Sequence, residues 1–163
     1  LNTGAVAISS LISNTTGYIV ACGILRVITT NSGTASSNDA IFGTEPDQTL
    51  GFAFSSTGPQ SAAFNNDGSE DAIAGGTAPV IDQVMVFEWR HEGGNIYKRT
   101  NGGSWSGAVS SGNSTPLTGS FGVGYNGASV FTQLDFLEAV TFNAIPNDTL
   151  KDALVADMLA HYG

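Results

Sequence analysis

The sequence predicts an all-β domain: a two-sheet antiparallel sandwich of the jelly-roll type, with one short C-terminal helix. Three observations predict it. Apolar residues alternate with period two in short runs, and turn residues separate these runs at roughly 8–12-residue spacing. Charged residues make up only 12% of the chain, about half the usual ~25%. Gly, Ser, Thr and Asn replace them, which suits turns and β surfaces better than exposed helices. Helical periodicity is confined to the last residues. The 163 residues suit one domain spanning 1–163, since no composition shift or internal repeat divides them.

In chain order, residues 1–16 are mixed in character, with Leu11 and Ile12 placed to anchor them to a core. Residues 18–30 form the first strong strand, nearly continuously apolar through Leu25, and a run of that kind implies burial on both faces. Residues 31–39 are loop by composition, 40–43 a short strand, and 44–48 a turn around Pro46. In 49–54, Leu50, Phe52 and Phe54 share one face. A short strand at 61–64 leads to the turn Asn65-Asn66-Asp67-Gly68.

Residues 80–92 give the clearest strand. Val84, Val86, Glu88 and Arg90 take one face, and Met85, Phe87, Trp89 and His91 the other. Gly93-Gly94 makes the hairpin turn to a partner strand at 95–100, because glycine meets primed-turn dihedrals without strain. Asn101-Gly102-Gly103 turns again ahead of Trp105. Residues 120–125 alternate large residues with glycine, and 132–142 form a second long strand. The helix starts at Asn147 or Asp148 as N-cap. It carries an apolar stripe of Leu150, Leu154, Val155, Met158 and Leu159, ends at Gly163, and is expected to cover an open edge or end of the sandwich.

Charge and cysteine content narrow the function classes. Fourteen acidic residues against five basic give a net charge of -9. Such a field repels phosphate backbones and anionic headgroups, so nucleic acid is not an expected partner. No run of ~18 apolar residues is present, so membrane insertion is not expected either. Cys22, the only cysteine, sits in an apolar run and is expected to be a buried, inert thiol. A chain beginning at Leu1 fits a fragment or processed product.

The stretches Val86-Phe87-Glu88-Trp89-Arg90 and Gly93-Gly94-Asn95-Ile96-Tyr97-Lys98-Arg99-Thr100-Asn101-Gly102 resemble a laminin-G-type hairpin. Phe121-Gly122-Val123-Gly124 is similar to that family's glycine-alternating strand. Asp135-Phe136-Leu137-Glu138-Ala139-Val140-Thr141-Phe142-Asn143 resembles its final strand, and residues 145–163 its closing helix. The domain thus resembles the laminin-G-like branch of the concanavalin A-like lectin/glucanase superfamily, over roughly the second half of the chain. The resemblance implies two curved sheets, and an extracellular or virion-surface setting in phage or bacterial surface proteins. It also implies binding of glycans or proteins, sometimes with calcium.

Catalysis is not expected. Glycoside hydrolysis needs two carboxylates flanking one bond, about 5–5.5 Å apart for retention. Asp135 and Glu138 lie three apart and would point to opposite faces of a regular strand, while Glu88 stands alone. Glycan recognition needs aromatic platforms with polar neighbours. Trp105, Tyr97, Tyr125, Asn101 and Asn126 supply these, with His91 in the same hairpin as Tyr97. Trp105, in a Gly/Ser loop, is the best exposed candidate. The loop bearing Asp67, Glu70 and Asp71 offers oxygens to calcium, and no other cofactor is indicated. The expected function is attachment to a glycan or a protein partner, other virion subunits included, with oligomers allowed. A purely structural virion domain and a carbohydrate-active enzyme are the alternatives.

Overall fold

A computed structural model describes residues 6–13, 15–26, 39–45, 51–55, 58–63, 72–74, 80–110, 119–124 and 133–163. Among these described residues, ten strands form two five-stranded antiparallel sheets. They are β1 (Thr16–Leu25), β2 (Asp39–Glu45), β3 (Gly51–Ser55), β4 (Gly58–Ala63), β5 (Ala72–Ala74), β6 (Val84–Glu92), β7 (Asn95–Thr100), β8 (Val109–Ser110), β9 (Ser120–Val123) and β10 (Leu134–Phe142). Sheet one has the order β10-β1-β6-β7-β8, and sheet two β5-β4-β3-β2-β9. Helix α1 (Asp148–Tyr162) follows β10. This is the jelly-roll sandwich with a closing helix that the strand spacing predicts.

β1 sits between β10 and β6 and is buried on both faces, as its apolar run requires. Ile19, Ala21 and Leu25 face sheet two and pack with Ile41, Phe42, Met85, Phe87, Trp89 and Ile96. Tyr18, Val20 and Cys22 face the other way and pack with Val86, Val155 and Met158. The chain reaches β1 from the edge of sheet two. Ala7 bridges Ser120, a 3-10 turn at Ile8–Ser10 follows, and Ile8 and Ile12 drop into the inter-sheet core. Ile12 therefore anchors the first segment as expected, with Leu11 packed beside the core.

Helix α1 lies on the outer face of sheet one, against β6 and β1, and not across an open edge. The apolar side chains of Val86, Val20 and Tyr18 on that face are what it covers. Asn147 Oδ1 accepts from Leu150 N at 2.9 Å, and Gly163 N closes the last turn on Leu159 O. The buried stripe differs from expectation at one turn. Leu150 is 42% exposed, whereas Lys151 is buried with Val155 and Met158. The Lys151 stem covers apolar surface while its ammonium reaches outward to Asp148 at 2.7 Å.

Element ends also differ. β6 begins at Val84, because residues 80–83 turn through Asp82 at φ 60°. β9 ends at Val123, where Gly124 adopts φ 67°. The Asn65–Gly68 turn, Leu50 and Phe64 lie outside the described residues.

Two substitutions test this packing. A Cβ at Gly17 would lie 2.6 Å from Ile12 Cβ, a branched carbon that has no room to swing aside. Gly17→Ala is expected to cost about 1–3 kcal/mol in urea unfolding. Asn147→Ala removes the helix cap and is expected to cost about 1 kcal/mol by the same measurement.

Candidate functional site

The β6–β7 hairpin carries most of the polar chemistry, divided between its two faces. On the outer face, Glu88 is fully buried beneath α1. Tyr18 Oη donates to Glu88 Oε1 at 2.6 Å, and Arg99 Nε donates to Oε2 at 2.6 Å. Arg99 Nη2 also donates to Asp152 Oδ1 on α1 at 2.8 Å. Burial, reinforced by the Glu88 hydrogen bond and charge, drives the Tyr18 hydroxyl far above its usual range, so it stays a donor. Glu88, which the sequence leaves alone, is therefore the centre of a network joining β1, β6, β7 and α1.

Trp105 lies over this network and is half-buried. The Arg90 and Arg99 guanidinium carbons stand 4.6 and 4.7 Å from its ring centroid, and Lys151 Nζ 5.4 Å. Three of the chain's five basic residues thus surround one indole. Arg90 also stacks on Tyr97, 4.1 Å from that ring. The expectation of an open Trp105 platform needs amending, because cations crowd the ring and it packs beside Tyr18, Val86 and Val155. Asn101 is exposed and takes φ 49°. Its Oδ1 accepts from Val86 N at 2.8 Å and its N–H donates to Val86 O at 2.9 Å, which ties the turn after β7 back to β6.

The structure brings Tyr97 and Trp105 together through Arg90. His91 is placed elsewhere, on the inner face, buried against Trp89 with ring centroids 5.9 Å apart. Burial lowers its pKa. Tyr125 and Asn126, and the loop acids Asp67, Glu70 and Asp71, lie outside the described residues. Among the described residues, no three His, Cys, Asp or Glu side chains are grouped to hold a metal ion.

The inner face holds a residue that sequence reasoning passed over. Lys98 lies opposite Trp89 in the β6–β7 ladder and is only 3% exposed. Burial pushes its pKa down to about 8. Strand alternation was the available signal, since Ile96 faces inward and Lys98 is two residues on.

One expectation about the acids is corrected. The β1–β10 ladder shifts between Cys22 and Gly23, pairing Cys22 with Glu138 and Gly23 with Phe136. Leu137 is the extra residue of this bulge. Asp135 pairs with Ile24 and Glu138 with Cys22, so the two acids share a face instead of opposing each other. Both are engaged. Arg26 binds Asp135 through Nε at 2.8 Å, and Tyr162 Oη donates to Glu138 at 3.4 Å. Cys22 is buried as expected, and burial with the nearby Glu138 charge pushes its thiol up to about 11.

Solved structures share this architecture. A sialidase of Trypanosoma rangeli matches with a TM-score of 0.67 at 13% identity, over 90% of this chain and 24% of that one. The chain therefore spans about a quarter of that protein. Domain 4 of AbnA, a GH43 extracellular arabinanase from Geobacillus stearothermophilus in complex with arabinotriose, matches with a TM-score of 0.62 at 12% identity, over 88% and 68%. A heptameric SAP-like pentraxin from Limulus polyphemus matches with a TM-score of 0.64 at 12% identity, over 89% and 71%. These likenesses show the concanavalin A-like jelly-roll fold. No protein-family model and no curated protein matches the sequence.

Lys98 makes stability depend on pH. Its folded pKa of about 8 lies below the ordinary 10.5, so the unfolded chain binds the extra proton between those values. Stability contributed by this group therefore rises with pH across that window. The gain is roughly 3 kcal/mol at ~1.4 kcal/mol per unit. Urea unfolding from pH 7 to 10.5 should show this rise in the natural chain relative to Lys98→Met, which should also be the more stable of the two near pH 7.

Proposed function

We propose that this chain is a non-catalytic recognition module, displayed outside the cell or on a virion, that binds a glycan at the outer margin of β6–β7. The observation that carries this reading is the packing of Tyr97 and Trp105 around the Arg90 guanidinium, within 4.1 and 4.6 Å, at half-buried positions that reach solvent. Sugars are bound by aromatic surface for their C–H faces and by planar donors for their hydroxyls. A guanidinium held between two rings is preorganised for that task, with little rotamer entropy left to lose.

Binding is favoured over hydrolysis by the state of the carboxylates. Glu88, Asp135 and Glu138 already accept from Tyr18 and Arg99, from Arg26, and from Tyr162. A glycosidase pair must face a substrate bond. The arabinotriose named with the arabinanase domain adds a sugar-binding precedent on the same fold at low identity.

A glycan array probed with this chain, followed by calorimetry with arabinotriose as a defined probe, tests the reading. At least one glycan should be retained, and Tyr97→Ala should weaken its binding about tenfold, the ~1.4 kcal/mol of one stacking contact. A blank array together with a discrete multimer in solution would replace the proposal with a structural assembly role.

A further inference from the structure

The inner face of the β6–β7 hairpin holds two donors without an acceptor. Among the described residues, neither Trp89 Nε1 nor Lys98 Nζ has a hydrogen-bond partner. Both side chains are more than nine-tenths buried, and they sit directly opposite each other on adjacent strands. An indole N–H and an ammonium donate only, so no bond between them can satisfy either.

Among the described residues, no acid of the paired strands faces Lys98: Glu92 lies beside Arg90 on the outer face. The inward positions of β6 are Met85, Phe87, Trp89 and His91. Strand β8 is Val109 and Ser110. Strand β4, which approaches β7 from sheet two, reads Gly-Pro-Gln-Ser-Ala-Ala. Glu88 lies between Phe87 and Trp89 but faces outward, where Tyr18 and Arg99 occupy both its oxygens. His91 is the one other ionisable group on this face of the hairpin, and it brings no negative charge. A buried ammonium left in this state costs several kcal/mol, and native interiors rarely keep one without a ligand or counterion.

We propose that a small anionic group, a carboxylate or a single inorganic anion, binds between the sheets at β6–β7 and accepts from Lys98 Nζ and Trp89 Nε1. Its charge balances the ammonium, and its lone pairs meet both donors by charge-assisted hydrogen bonds. The same chemistry serves a free anion and the carboxylate of an acidic sugar. This site is on the opposite face of the hairpin from Tyr97 and Trp105 and stands independently of the glycan proposal.

The test titrates sodium chloride, sodium acetate and sodium glucuronate separately. Thermal unfolding is read on the natural chain. Emission is read on a Trp105→Phe variant, in which Trp89 is the remaining tryptophan. Lys98→Met in each background carries the general salt effect. The expected result is a saturable rise in Tm and a saturable change in Trp89 emission, both absent in Lys98→Met. Affinity should fall about tenfold per pH unit once Lys98 loses its proton. Saturation by chloride or acetate identifies a free-anion site, and saturation by glucuronate alone identifies an acidic sugar as the source. Either supports the proposal. Responses that never saturate, or that persist unchanged in Lys98→Met, overturn it, and the unfolding arm decides the matter should Trp105→Phe fail to fold.

Discussion

A carboxylate buried beneath a helix organises this domain. Glu88 is removed from water on the outer face of sheet one, where an unpaired charge would be severely unfavourable. Three elements answer it. β1 sends Tyr18, β7 sends Arg99, and Arg99 extends the network to Asp152 on α1. The helix is thus held by direction-specific bonds as well as by Val155 and Met158. Apolar contact alone would let a short helix slide on a sheet, whereas a fork of hydrogen bonds fixes its register.

That arrangement has a consequence for function. Sheet one is covered on both sides, by sheet two within and by α1 without, so its flat faces are taken up by the core. The proposed recognition site therefore lies at the margin of the hairpin, where Arg90, on the Glu88 face, meets Tyr97 and Trp105. The outer face spends its charges on mutual pairing. The inner face does the opposite with Lys98, whose ammonium has no hydrogen-bond partner among the described residues. A buried polar group that is satisfied supports the fold, and the unsatisfied pair of Lys98 and Trp89 is what motivates the proposed anion site.

Much of the architecture was legible because period-two patterning is a local property. The two faces of β6, the Gly93-Gly94 turn, the Asn147 cap and the double burial of β1 all follow from neighbours along the chain. The bulge at Leu137 did not, because it depends on how β10 registers against β1, and it reversed the relation between Asp135 and Glu138. Lys151 in place of Leu150 was equally hidden, since only the Trp105 ring and Asp148 make a buried lysine stem favourable there. At the candidate site, Tyr97 and Trp105 could be named from residue type. Arg90, which joins them, could not, because its role depends on a loop folding back over the hairpin. His91 was readable as inward-facing from its alternation with Trp89, which argues against a surface role.

The most direct test of this account is a double-mutant cycle in urea between Glu88→Gln and Arg99→Met, with near-ultraviolet circular dichroism confirming native packing. If the buried carboxylate and guanidinium hold the outer face together, the two substitutions will couple by about 2 kcal/mol or more. Additive effects, with a coupling under about 0.5 kcal/mol, would mean that apolar contact alone seats the helix and that Glu88 is not the constraint described.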